Sequence, residues 1–210
     1  MEHLALIGSV VIIHLMAVMS PGPDFFMAIR NSLIYSRKTG VYTAIGFGIG
    51  IGVHIIYCSV GLALIISKSI LAFNIIKFLG AGYLIFIGIQ SILSKSSHQQ
   101  MKETVDKKDI SPLKAIRIGF LTNVLNPKAT LFFLSLFTFV IGPSTPNYIL
   151  ALLGLTMMIN TTLWFSLVAV FFTQQRIQKT FYRFQKIFNR IFGGVLILIG
   201  LKLLFANSET

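Results

Sequence analysis

Two short segments hold most of the side chains that could do chemistry in this otherwise apolar sequence of 210 residues. The first is Ser20-Pro21-Gly22-Pro23-Asp24. Pro21 and Pro23 lack amide protons and clash with preceding carbonyls, and Gly22 disfavours helix, so a helix through this segment must break. Broken backbone at membrane depth is tolerated only where it lines a cavity or is buried in protein. The helix that restarts there points free amides, and the positive end of its dipole, at whatever lies before it. Asp24 is the only acid inside an apolar run. A carboxylate in that place can pair with a substrate ammonium group or carry a proton. It can equally cap the helix that restarts at Pro23.

The second segment is Gly119-Phe-Leu-Thr-Asn123-Val-Leu-Asn126-Pro127-Lys128. Asn123 and Asn126 lie about one turn apart and share a helix face. Pro127 repeats the break. Lys128 can hold a carboxylate or stretch to a headgroup, and its depth inside an apolar run favours the inward direction. Elsewhere, Gly46-Phe-Gly48-Ile-Gly50-Ile-Gly52 puts Gly46 and Gly50 on one stripe and Gly48 and Gly52 on another, so this helix can be squeezed between two close neighbours. His54 continues the first stripe, as a proton relay or as a hydrogen-bonded packing residue. His14 has a weaker claim to the same roles. Asn160, Thr161 and Thr162 are polar at mid-run, and bonding between helices is their default role. The many Phe side chains read mostly as packing or lipid-facing groups.

Several chemistries lack their residues. No Gly-x-x-x-x-Gly-Lys-Ser/Thr loop is present, which excludes that route to ATP hydrolysis. No Ser/His/Asp or metal-ligand cluster has suitable spacing. Cys58 is the single cysteine, too few for an intrachain disulfide or two-thiol redox chemistry. No cofactor is called for.

The elements that carry these residues are dictated by composition. Hydrophobic residues make up 55% of the chain and charged ones 11%, against roughly a quarter charged in soluble domains. A soluble protein of this size lacks the interior to bury so much apolar surface; a bilayer wets it directly. Runs of about 20 apolar residues occur at Leu4–Ile29, Val41–Ile66, Ile70–Leu93, Leu113–Ile141, Tyr148–Phe172 and, shorter, Ile191–Ala206. The chain opens Met1-Glu2-His3, without the cationic start of a signal peptide, so the first run reads as a span. The fold expected is an all-α integral membrane protein of six spans, with the first and fourth broken.

The net charge of +12 does not point to nucleic acid, because the cationic residues sit between apolar runs. Of 18 Lys and Arg residues, 14 fall in or beside the connections one–two, three–four and five–six. The positive-inside bias then puts both termini outside, in the periplasm of a bacterial inner membrane. The polar stretch 94–112 separates residues 1–93 from residues 113–210, three spans each. With an odd number of spans per half, any repeat must be inverted. A repeat is visible in Gly82-Tyr-Leu-Ile-Phe-Ile-Gly88-Ile89 and Gly194-Val-Leu-Ile-Leu-Ile-Gly200-Leu201, and in Phe26 and Phe132, each five residues past a proline. Inverted halves with interrupted helices are the build of many secondary transporters.

The sequence resembles the lysine exporter (LysE/RhtB) family of amino-acid exporters, and its threonine-efflux branch most. The resemblance rests on His14-Leu-Met-Ala-Val-Met-Ser-Pro-Gly-Pro-Asp-Phe-Phe26 and Gly119-Phe-Leu-Thr-Asn-Val-Leu-Asn-Pro-Lys-Ala129. It continues through Leu163–Phe172 and Phe192-Gly-Gly194 and so covers essentially the whole chain. It implies two inverted halves and proton-driven efflux of small amino acids such as threonine or homoserine, with Pro21, Gly22, Pro23, Asp24, Asn126, Pro127 and Lys128 at the site. Two departures bear on substrate choice and coupling. Phe137-Thr138-Phe139 stands where many relatives have Pro-Gln-Phe, and no acid lies near Asn160. The reading is a transporter and not an enzyme, with protons, an amino acid and the bilayer as partners; a homo-oligomer is compatible with it. Its rivals are a membrane-embedded enzyme and a non-transporting partner subunit.

Overall fold

A computed structural model describes residues 2–68, 70–93, 109–140 and 145–205. These form eight helices: α1 (Glu2–Met19), α2 (Pro23–Ile34), α3 (Arg37–Lys68), α4 (Ile70–Leu93), α5 (Pro112–Val124), α6 (Pro127–Val140), α7 (Asn147–Phe171) and α8 (Gln175–Phe205). The first expected span is α1 and α2, bent by 56° across the break at Ser20–Gly22. The fourth is α5 and α6, separated at Leu125–Asn126.

Among the described residues, three stretches are long and apolar enough to cross a membrane: Arg37–Gly61, Asn147–Phe171 and Arg183–Lys202. The bent α1–α2 pair makes a fourth. The described apolar part of α4 is shorter, Lys77–Leu93, and α5 and α6 have 13 and 14 residues each. The last helix corrects one boundary. The cationic stretch before Ile191 reads as a connection, yet α8 begins at Gln175. Ile177, Phe181, Phe184 and Phe188 recur at helical spacing between its charges, a pattern that a search for continuous apolar runs passes over.

Glycine sets the closest packing. A side chain on Gly46 would meet Phe120 N at 2.7 Å and Gly119 Cα at 3.0 Å, so α3 and α5 touch backbone to backbone. On the opposite stripe, a side chain on Gly48 would meet Met158 O of α7 at 2.9 Å. The two small faces expected of α3 are therefore both used, one for each neighbour. Helices α4 and α8 cross antiparallel: Gly88 packs on Gly193, with its would-be Cβ 2.7 Å from the Gly193 carbonyl, and Gly200 packs on Ala81, at 2.9 Å.

The exterior is apolar. Leu152, Leu155, Ile159, Leu163 and Leu167 make one exposed stripe along α7, a patch that water would penalise and lipid accommodates. At one end of the bundle the connections meet. Ser36 caps the Thr39 amide at 3.1 Å, and its hydroxyl donates at 2.8 Å to Asp109. Arg37 Nε donates to Thr173 Oγ1 at 3.0 Å. The Thr39 and Ser36 hydroxyls hold the exposed Asp109 carboxyl below its ordinary range.

Candidate functional site

The site begins with carbonyls whose helical donors the prolines remove. In an unbroken helix the Ala17 carbonyl would accept from residue 21 and the Asn123 carbonyl from residue 127; both positions are proline and offer no N–H. Buried carbonyls need donors, and these come from elsewhere: the Asn126 amide donates to Asn123 O at 3.0 Å. Lys128 Nζ donates to Ser20 O at 2.9 Å and approaches Ala17 O at 3.5 Å. His54 Nε2 lies 3.1 Å from Asn123 O, and its Nδ1 lies 2.6 Å from the Tyr57 hydroxyl.

Asp24 occupies the second position of α2, with Gly22 as the N-cap and no side chain capping the helix. Its carboxylate turns instead across the molecule. Asn123 Nδ2 donates to Oδ2 at 2.7 Å and Asn126 Nδ2 to Oδ1 at 3.2 Å. The Asn126 side-chain oxygen accepts from the Lys128 amide at 3.0 Å, which makes Asn126 the cap of α6. Asp24 is 8% exposed and Asn123 1%.

These groups border a cavity of about 40 Å³, space for a few water molecules. Ser20, Gly22, Asp24, Asn123, Asn126 and Lys128 form its polar end. The sequence brings Pro21, Pro23 and Pro127 to the same breaks as backbone, without lining the cavity. His54 stands behind the wall: it stacks on Phe133 at 5.5 Å with the rings 4° from parallel. Asn160 does not line the cavity. Its neighbour Thr161 comes nearer, with Oγ1 3.5 Å from His14 Nε2.

Sequence reasoning undervalued His14 and the aromatic wall. His14 lines the cavity with Phe25, Phe132, Phe133 and Phe165, and is 1% exposed. The signal available was the placement of Phe132 five residues after Pro127, but nothing in the chain separates a wall phenylalanine from a lipid-facing one. Gly50 was legible only as packing. A Cβ there would stand 2.5 Å from Asn123 Oδ1, so its bareness is what lets Asn123 lie toward Asp24.

A buried carboxylate and a half-buried ammonium held at facing helix breaks, inside a shell of apolar helices, define a helical membrane protein built around a polar centre. The whole-chain comparison agrees. This chain belongs to the LysE-type translocator family, whose model matches residues 15–207. It is 30% identical over 194 residues to an uncharacterized membrane protein, YrhP, of Bacillus subtilis, covering 89% of this chain and 92% of that one. Threonine efflux proteins of Escherichia coli K12 and Salmonella typhi are 26% and 29% identical over 205 and 209 residues, each covering 97% of this chain and 100% of the relative. No solved structure matches the chain.

Proposed function

We propose that this protein exports small neutral amino acids or their lactone derivatives, threonine and homoserine among them, at the expense of the proton gradient. The observation that carries the reading is Asp24. It is a buried carboxylate at a helix break, held by two amides from the opposite break and not by its own helix. An acid at a membrane centre costs about 2.5–3.5 kcal/mol on insertion scales, and a cap would be served as well by Asn or Ser. Its negative charge suits a substrate ammonium or a travelling proton. The substrate carboxylate would meet the amides of a restarted helix. The threonine efflux relatives support the substrate class, and the family supports transport over catalysis.

In this reading the chain crosses the bacterial inner membrane six times as two inverted halves, residues 1–93 and 113–210, joined by the linker 94–112, with both termini periplasmic. Support comes from the facing breaks. It comes also from the α4–α8 crossing, where Gly88 and Gly200, equivalent in the repeated segment, each pack against a small residue of the other half. The cavity has space for only a few water molecules, so the site would widen to admit threonine or homoserine.

Cells loaded with dipeptides that release single amino acids test the proposal, with efflux measured in the presence and absence of the gene. Faster efflux of threonine or homoserine is expected. Unchanged efflux of every amino acid at normal membrane abundance would favour a partner subunit or a membrane enzyme.

A further inference from the structure

We propose that the Lys128 ammonium is a tethered stand-in for the substrate's ammonium group, seated in the substrate's subsite while the carrier is empty and displaced when an amino acid arrives. The inference rests on the export reading above and deepens it.

The subsite is an ammonium site by chemistry. Pro21 removes the partner of the Ala17 carbonyl, and the turn at Gly22 carries the chain away from the helical course that would pair Ser20 O. Both oxygens belong to the C-terminal end of α1, where the helix dipole favours a cation. Asp24 adds a carboxylate to the same cavity. Carbonyl and carboxylate oxygens converging at one place suit an –NH3+ group, which offers three donors and no acceptor. Lys128 Nζ and the α-ammonium of an amino acid present the same group. With Lys128 at 2.9 Å from Ser20 O, the two cannot hold that oxygen together.

The position of Lys128 argues against a role within its own helix. It occupies the first turn of α6, after Pro127, where the dipole disfavours a cation. The side chain leaves that end and reaches the first half of the molecule, passing Gly22, whose would-be Cβ lies 3.4 Å from Lys128 Cδ. The contact thereby ties the second break to the first across the cavity. Without a cation, this arrangement would bury Asp24 beside open carbonyls, at a cost that a return of the empty carrier would have to meet. A loaded carrier brings its own ammonium and needs no substitute.

Exchange and net efflux therefore separate. Exchange moves a loaded carrier in both directions, whereas net efflux requires the empty carrier to return. Purified protein in liposomes, tested with the radiolabelled amino acid that the wild type moves best, reads both. Lys128→Met keeps most of the side-chain length and removes the charge. It is expected to retain exchange within about twofold and to lose net efflux by about tenfold or more, whereas Lys128→Arg keeps both. In Lys128→Ala, added propylammonium should restore part of the net efflux. Equal loss of exchange and net efflux in Lys128→Met would overturn the inference and make Lys128 a substrate ligand. Retention of both would overturn it too. So would failure of Met and Ala variants alike to yield monodisperse protein, since Lys128 would then be a structural strut. A wild type that moves no amino acid refutes the export reading itself, and the inference falls with it.

Discussion

Burying a carboxylate requires donors, and Asp24 obtains them from Asn123 and Asn126 at 2.7 and 3.2 Å. Hydrogen bonds to a charged group contribute about 1.5–3 kcal/mol each, so the position of Asn123 matters to the whole site. Gly50 controls it. An added methyl would lie 2.9 Å from Asn123 Cβ as well as 2.5 Å from Oδ1, and the Asn must move off Asp24. Gly50→Ala is expected to weaken substrate affinity about 10-fold or more, the equivalent of one such bond. Gly52→Ala, facing the flexible Met158 side chain at 3.3 Å, should change it little. Concentration dependence of efflux for the two variants checks this, and equal affinities would remove Gly50 from the account. At this scale the sequence exposed the residue types and their breaks, since a proline announces the carbonyl it orphans four residues earlier. It left the direction of Asp24 open, because an N-terminal acid can serve its own helix or a distant one, and only three-dimensional placement separates them.

Among the elements, the glycine stripes of α3 were legible because helical spacing alone assigns Gly46 and Gly50 to one face and Gly48 and Gly52 to the other. Which helix fills each face was not, since that depends on contacts distant in sequence. The start of α8 was missed for a different reason: its first turns mix charges with apolar groups, and hydropathy averages them away. The connections after α2, before α5 and after α7 gather at one end through the Ser36–Asp109 and Arg37–Thr173 bonds. These are the cation-rich connections, and the proposed topology has that end facing the cytoplasm. Reporters fused within 94–112 and after residue 210 are expected to report opposite sides, the first cytoplasmic. A common side for both would break the six-span topology.

The molecule as a whole joins two broken helices by reciprocal bonds: Asp24 of the first half is held by amides of the second, and Lys128 of the second by carbonyls of the first. A cavity of about 40 Å³ lies between them. The family, the overall helical build and the charged centre were readable from one chain, because prolines, charges and apolar runs act locally. The aromatic wall and the cross-molecular pairing were not, because they arise only when the halves meet. Asp24→Asn tests the account most directly. Asn keeps a hydrogen-bonding side chain of the same shape and removes the charge and the proton, so the variant should insert and fold. In liposomes holding equal amounts of purified protein under a proton gradient, wild type should move threonine or homoserine, and Asp24→Asn should move about a hundredth as much or less, the equivalent of about 2.7 kcal/mol. Wild-type rates from the Asn variant would contradict the central claim and reduce Asp24 to a structural link between the breaks.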